Sequence, residues 1–168
     1  MALLERRADG PVIIPDRFRR LDDEAAVPAD GPVLVSLARF QRDRDALLAR
    51  GEALGVWLAS NETPAALAQD LDRLALVALD FPVFSDGRAF SSARLLRERY
   101  GYKGELRAIG DVLCEQLPFM VRSGFDTFDM KSDRALEEFR AVVGEVRVVY
   151  QPTGDGLATA LDRRLDRR

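Results

Sequence analysis

The sequence contains no histidine and only one cysteine, Cys114, and both shortages restrict the chemistry open to this chain. Without histidine there is no Ser-His or Cys-His nucleophile pair, and the commonest general base and transition-metal ligand is missing. A single cysteine excludes an internal disulfide, a Cys-x-x-Cys redox pair and an iron–sulfur cluster bound by several thiolates. The missing histidine is the most informative feature of the composition.

Long apolar runs and nucleotide-binding loops are also missing. No segment approaches the roughly 20 apolar residues of a membrane span, and the first ten residues lack a long enough apolar run for a signal peptide. Neither GxGxxG nor GxxxxGK[ST] occurs, and no motif indicates a cofactor. The net charge of −3 gives no overall field toward nucleic acid or anionic membrane. We therefore expect a cytoplasmic protein that binds neither nucleic acid nor membrane.

Short apolar runs alternate with helical periods along most of the 168 residues. Apolar runs typical of strands buried on both faces occur at Val33–Ser36, Leu54–Ala59, Leu74–Phe81, Leu106–Ile109, Thr127–Met130 and Val146–Tyr150. Helical periods fill the gaps at Leu37–Arg50, Pro64–Asp72, Ser91–Tyr100, Val112–Ser123 and Arg134–Val143. This alternation predicts an α/β domain with a mostly parallel sheet of five or six strands and flanking helices, in a doubly wound or partial-barrel-like arrangement.

The chain divides into three parts in this interpretation. Residues 1–31 hold the short run Val12–Ile14 beside two prolines, which predicts an edge strand or short hairpin followed by a loop. Residues 32–151 form the α/β domain, and residues 152–168 hold a charged helix or tail, with the helix predicted at Leu157–Arg168. Helix ends are marked by cap signals at Gly51, Thr63-Pro64, Gly101, Gly124, Ser132 or Asp133, and Gly144.

The best candidate for a ligand site is the polar loop after Phe81, together with the basic helix that follows it. The candidate residues are Asp86, Gly87, Arg88, Ser91, Ser92, Arg94, Arg97 and Asp111. With Ser91 and Ser92 near the helix start, free N–H groups, hydroxyls and guanidiniums together suit a small oxyanion such as sulfite, sulfate or phosphate. The alternative is an ordinary turn and cap, with a solvated arginine face paired with Glu98 and Glu105.

Carboxylates also stand where three of the predicted strands end. Asp80, Asp111 and Asp129 lie there, and Lys131 follows the last of them. Because the carboxyl ends of parallel strands share one edge, these groups could converge on a substrate or on a hard cation such as magnesium. Asp111 is equally suited to cap a helix beginning at Val112, and no tight carboxylate cluster supports a metal site.

Most aromatic residues are spaced as core positions of helices and strands. We expect core packing for Trp57, Phe81, Phe119, Met120, Phe125, Phe128 and Phe139. One helical face differs, because Gln116 and Arg122 lie beside apolar residues there. An amide and a guanidinium in such surroundings suit a surface that contacts another protein.

The segment FPVFSDGRAFSSARLLRERYGYKGELRAIGDVLCEQLPFMVRSGFDTFDM resembles the signature of an uncharacterised bacterial family, domain of unknown function 934. Its most specific parts are Asp86–Arg88, Ser92–Arg97, Gly104–Arg107, Gly110–Leu113, Gln116-Leu117 and Gly124–Asp126. Members are labelled probable oxidoreductases involved in sulfite reduction, because their genes lie beside those for assimilatory sulfate and sulfite reduction. The resemblance implies a role in sulfur assimilation and transfers no catalytic residues.

Two functions from different classes remain open. The first is an accessory protein, non-catalytic or anion-sensing, whose Asp86-to-Arg97 surface contacts an oxyanion or a sulfite-reduction enzyme. The second is a small enzyme or oxidoreductase of sulfur metabolism that uses Asp and Arg side chains at the strand ends. A homo-oligomer formed through a helix or through the edge strand Val12–Ile14 is compatible with either.

Overall fold

The computed structural model describes residues 2–143, 149 and 159–165, and its main feature is one eight-stranded sheet. The strands are β1 Ala2–Arg7, β2 Gly10–Ile14, β3 Arg19–Arg20, β4 Val33–Ser36, β5 Leu54–Leu58, β6 Leu76–Phe81, β7 Glu105–Gly110 and β8 Thr127–Met130. The helices are α1 Leu37–Ala49, α2 Arg88–Arg94, α3 Leu117–Ser123, α4 Ala135–Val143 and α5 Ala160–Leu165. None of these described helices has the length and apolarity that crossing a membrane requires.

The strand order is β2-β1-β8-β7-β6-β5-β4-β3. Strands β3 to β8 run parallel, whereas β1 pairs antiparallel with both β2 and β8. From β4 to β8 each new strand is added on the same side, so the order lacks the reversal that defines a doubly wound sheet. The predicted α/β class with a mostly parallel sheet is confirmed, and its βα units follow one another as in part of a barrel.

The sheet has eight strands where the sequence predicts five or six, because two strands carry no clear signal. Strand β1 does not alternate apolar and polar residues, and β3 consists of two arginines. The predicted run Val12–Ile14 is part of β2, which forms a hairpin with β1 and lies at the edge of the sheet as expected. The predicted strand Val146–Tyr150 lies outside the described residues except for Val149, which pairs with Thr159.

The main core lies on one face of the sheet, where α1 to α4 cover the strands. Alternate strand residues such as Val56, Val77 and Leu106 point to this face and are fully buried there. Helix residues complete the same core, including Phe40 of α1, Ala93 of α2, Met120 of α3 and Phe139 of α4. Successive right-handed crossovers along one direction place their helices on one side, which explains why one face receives most of the helical cover.

The opposite face is covered mainly by the segment Pro15–Arg20, which we call the strap. Phe18 of the strap is buried against Leu34, Leu76, Ala78 and Ile109 in a second, smaller core. Beside it, the nearly buried Arg107 of β7 donates a 2.9 Å hydrogen bond to Asp16 of the strap. The rest of this face, toward the carboxyl ends of the strands, is less covered.

Several predicted helices are shorter or differently wound than expected. The stretch Pro64–Asp72 forms two short 3₁₀ turns, Pro64–Leu67 and Leu71–Arg73, because Asp70 between them is buried and accepts two N–H groups from Arg44. The predicted helix Val112–Ser123 is a 3₁₀ turn at Cys114–Gln116 followed by α3.

The predicted cap signals agree with the backbone where it is described. Gly51, Gly101 and Gly124 have positive φ angles, as C-caps require. Thr63 accepts a hydrogen bond from the Ala65 N–H, and Ser132 accepts one from the Arg134 N–H. Gly144 lies outside the described residues, and α5 covers the described part of the predicted helix Leu157–Arg168.

Candidate functional site

The predicted loop Asp86-Gly87-Arg88 lies at the carboxyl edge of the sheet, between β6 and α2. The Arg88 guanidinium donates to both carboxylate oxygens of Asp86, from Nε at 2.9 Å and from Nη2 at 2.6 Å. Its Nη2 also donates to Ser60 Oγ at 2.9 Å, which joins this loop to the one after β5. The hydrogen bonds from Arg88 lower the pKa of Asp86 well below its usual range. Much of the Arg88 charge is therefore balanced within the protein.

The other predicted residues of the basic helix do not form one site with Arg88. Because α2 begins at Arg88, Ser91 and Ser92 lie one turn inside the helix and are not at its start. Arg94 pairs with Glu98 at 3.0 Å, as the solvated-face alternative predicts. After Arg94 the helix widens into a π-helical turn at Leu95–Arg99. Arg97 lies in this turn, at the opposite edge of the sheet from Arg88, because the helix crosses the sheet between them.

Arg97 is used to fix the backbone between two elements. Its Nε donates to the Gly124 carbonyl at 2.9 Å, and its Nη1 donates to the carbonyls of Tyr102 and Gly104 at 2.7 and 2.9 Å. Its Nη2 pairs with Asp126, at the start of β8. These bonds hold the loops before β7 and β8 together, so Arg97 has a structural task in this chain.

The carboxylates Asp80, Asp111 and Asp129 lie on three neighbouring strands at the carboxyl edge. Asp80 sits so close to β7 that a Cβ at Gly110 would be 2.5 Å from its Oδ1. Lys131 Nζ is 3.5 Å from Asp111 Oδ1. Asp111 does not cap a helix at Val112, because the following 3₁₀ turn begins only at Cys114. Among the described residues, no three acidic or cysteine side chains are placed to hold a metal ion.

Asp80 and Asp129 differ from the other partly buried carboxylates, since neither forms a hydrogen bond or ion pair within the described chain. Both point to the face that carries the strap, one residue position from the ends of β6 and β8, with Ile109 of β7 between them. Burial raises the pKa of both carboxyl groups, and the positive charges of Arg20 and Arg107 only partly oppose this. Partly buried carboxyls without partners are suited to exchange a proton or to accept hydrogen bonds from a ligand.

A groove of about 590 Å³ separates α2 from α3 and collects residues from two separate predictions. Ser91 and Arg94 of the candidate ligand site line one wall, while Gln116 and Arg122 of the predicted partner surface line the other. Gln116 Nε2 donates to the Phe84 carbonyl at 3.3 Å, which fastens the loop after β6 to the turn before α3. Two regions of the sequence thus form one surface.

Two aromatic side chains on this groove were not predicted as surface residues. Phe84 is 56% exposed and Phe119 is 62% exposed, and the half-buried Phe90 also lines the groove. The expectation that Phe119 packs in the core is wrong, because Leu117 and Met120 already form the inward stripe of α3. The other residues expected in the core are buried, except for the half-buried Trp57. In the sequence, the exposure of Phe119 is indicated only by its position beside the apolar stripe of Leu117 and Met120 and not within it.

Comparison with known proteins supports the resemblance seen in the sequence. A family model described as "Bacterial protein of unknown function (DUF934)" matches residues 55–160, which is more than half of the chain. The match runs from β5 into α5 and so includes the Asp86–Arg88 loop, the carboxylates at the strand ends and both walls of the groove. No curated protein matches the chain. The chain belongs to the DUF934 family of bacterial proteins of unknown function.

Proposed function

We propose that this chain is an accessory protein of assimilatory sulfite and sulfate reduction that binds an enzyme of that process through the groove between α2 and α3. The observation that carries the proposal is the exposed pair Phe84 and Phe119 on a groove of about 590 Å³. The link to sulfur assimilation comes from the family label, which rests on neighbouring genes. The family label therefore suggests the partner enzyme, which the shape and composition of the groove alone do not identify.

The composition of the groove supports a protein partner. Exposed aromatic side chains that lie together mark interaction surfaces, since aromatics are enriched at the centres of interfaces. Val83 and Leu113 extend the exposed apolar surface around Phe84 and Phe119. Arg94, Arg122 and Glu115 supply charged groups at its border. A partner segment matches this arrangement if it has an apolar side chain for the groove and neighbouring side chains of both positive and negative charge.

The loop that carries Phe84 is also held in place before any partner arrives. Arg88 ties it to Ser60 and Asp86, and Gln116 binds the Phe84 carbonyl. A surface ordered in advance loses less conformational entropy on binding, so such contacts increase affinity. The Asp86–Arg88 loop therefore contributes to the proposed interface by supporting Phe84.

Binding of the purified chain to purified assimilatory sulfite reductase tests the proposal. Phe119→Ala is expected to weaken the association by about tenfold or more, because exposed aromatics at interface centres often carry the largest share of binding energy. Leu161→Ala is the matched control, since Leu161 of α5 is equally exposed and lies outside the groove. No association, or equal weakening by both substitutions, contradicts the proposal. A homodimer that loses stability with Phe119→Ala would show that a second copy occupies the groove.

A small enzyme of sulfur metabolism is the second candidate, and a separate observation favours it. Asp80 and Asp129 are partly buried on the strap face and have no partner among the described residues, and burial raises the pKa of both. Complementation of sulfate-dependent growth in a strain lacking this chain separates the candidates. Loss of growth with Asp80→Asn and Asp129→Asn, but not with Phe119→Ala, would favour catalysis.

A further inference from the structure

A second cavity, of about 630 Å³, opens at the amino edge of the sheet, on the side opposite the Asp86–Arg88 loop. It lies between β1, the π-helical turn after α2 and the end of α3. Its lining is Arg6, Arg97, Glu98, Tyr102, Lys103, Val121, Arg122, Ser123, Gly124 and Asp126. A cavity of this volume suits a small organic ligand, since such sites commonly measure about 300–1,000 Å³.

The positive charges of this cavity are not all balanced. Asp126 is paired with Arg97, and Glu98 is paired with Arg94 outside the cavity. The side chains of Arg6 and Lys103 form neither a hydrogen bond nor an ion pair in the part of the chain that the structure describes. Two cationic groups therefore line this space without an ion-pair partner among the described residues.

The frame around these two cations is rigid. The Arg6 N–H donates to the Asp126 carbonyl at 2.8 Å, which anchors β1 beside the start of β8. Lys103 follows Tyr102, whose hydroxyl donates to the Leu74 carbonyl at 3.1 Å. Arg97 binds the carbonyls on both sides of the cavity, at Gly124 and at Gly104. Both side chains thus start from fixed backbone positions, which lowers the entropic cost of holding a ligand.

We propose that this cavity binds a small molecule carrying a phosphate or sulfate ester group, with Arg6 and Lys103 contacting the oxyanion. Charge-assisted hydrogen bonds from guanidinium and ammonium groups to such oxygens are among the strongest that proteins form. An inorganic oxyanion alone would fill only a small part of the volume, which leaves room for an organic group against Val121. This cavity shares Arg122 and Ser123 with the groove between α2 and α3, but Arg6 and Lys103 line the cavity alone. The proposal rests on these two cations and stands independently of the function proposed for the groove.

Titration of the ¹⁵N-labelled chain with phenyl phosphate, phenyl sulfate and phenol at low ionic strength tests the proposal. One or both esters should shift the Val121, Ser123 and Gly124 amides with saturation, and phenol should not. Arg6→Gln and Lys103→Gln should each weaken binding by about tenfold, the value of one charge-assisted contact. Added salt should weaken it further.

Arg19→Gln is the matched control for these variants. Arg19 is an exposed arginine of β3, the edge strand at the other end of the sheet from β1. Arg19→Gln changes the net charge by the same amount as Arg6→Gln or Lys103→Gln. Binding that survives Arg19→Gln and fails in the double variant Arg6→Gln/Lys103→Gln supports the site, and the tighter ester identifies the ligand class. Absence of saturable shifts, equal binding of phenol, or equal loss with Arg19→Gln overturns the proposal.

Discussion

Gly124 is the residue whose replacement should be least tolerated at the end of α3. Its φ angle is +97°, and a Cβ there would lie 2.6 Å from Arg97 Cγ. Gly124→Ala therefore adds backbone strain of about 1 kcal/mol and displaces a guanidinium that binds three carbonyls. We expect the free energy of unfolding to fall by about 2–3 kcal/mol, measured by urea denaturation.

A substitution at Gly51 separates the cost of backbone strain from the cost of displacing Arg97. Gly51 also has a positive φ, +73°, but a Cβ there would meet no atom within 4 Å. Gly51→Ala should therefore cost only the backbone term, about 1 kcal/mol. Equal losses for the two variants would show that the contact between Gly124 and Arg97 has no energetic importance.

Asp129 should make the stability of the chain depend on pH in an unusual direction. Burial raises the pKa of its carboxyl group, so the folded state holds the proton more tightly than the unfolded state does. Stability is then lost as pH rises from the ordinary Asp pKa through the raised one, and the cost persists at neutral pH. Asp129→Asn should therefore be more stable than the native chain at pH 7.

The gain from Asp129→Asn should disappear as pH falls toward 3, where the native carboxyl is protonated in both states. Urea midpoints measured at pH 7, 5 and 3 follow this change. Asp72 is exposed and its side chain has no hydrogen bond to a described residue, so Asp72→Asn should show no gain at any of these pH values. A gain that does not vary with pH would mean that Asn improves packing and that ionisation is not the cause.

Among the elements, the strap has an importance that its short length does not suggest. It has one large buried side chain, Phe18, which closes the smaller core over Leu76 and Ile109. Phe18→Ala should lower the free energy of unfolding by about 3 kcal/mol, the usual cost of removing a buried phenyl ring. Phe119→Ala removes the same ring from an exposed position and should change stability by less than about 0.5 kcal/mol.

Thermal or urea denaturation of these two variants measures the difference directly. If Phe18→Ala proved as stable as Phe119→Ala, the strap would not contribute to the folded core. The pair also serves the binding experiment, because a well-folded Phe119→Ala variant ensures that weaker association reflects a lost contact.

The sequence predicts some elements closely and others poorly, for identifiable reasons. Strands β4 and β8 have the predicted bounds, because most of their residues are buried. Strand β3 has no apolar signal, since Arg19 and Arg20 gain their strand geometry from pairing with β4. The turn at Asp70 depends on Arg44, which is distant in sequence, so the helical period of Pro64–Asp72 is misleading there.

The candidate site was less predictable than the fold. The sequence places Asp86, Gly87 and Arg88 correctly in a loop at a strand end, yet Arg88 and Arg97 lie at opposite edges of the sheet. The helix that joins them rises about 1.5 Å per residue, so nine positions separate their backbones by roughly 13 Å along its axis. The exposure of Phe84 and Phe119 depends on how α3 packs, a tertiary property.

At the scale of the whole molecule, the two faces of the sheet are protected unequally. Four helices cover one face in a continuous core, whereas the strap covers part of the other. The two candidate surfaces follow from the same architecture, because the groove and the cationic cavity both lie at ends of the helical layer. The strap face instead holds Asp80 and Asp129. Opening the strap would expose this face without disturbing the helices.

The unequal cover of the two faces predicts two rates of amide hydrogen exchange. The amides of β6 should exchange slowest, because β6 is hydrogen-bonded to β5 and β7 and its residues Leu76–Leu79 are almost completely buried. The Leu21 amide, which follows the strap and donates to the Leu34 carbonyl, should exchange much faster, through local opening. Mass spectrometry of peptides covering residues 15–21 and 76–81 measures both regions in one experiment. If the strap peptide exchanged as slowly as the β6 peptide, it would open only by global unfolding, and the smaller core around Phe18 would stay closed in the native state.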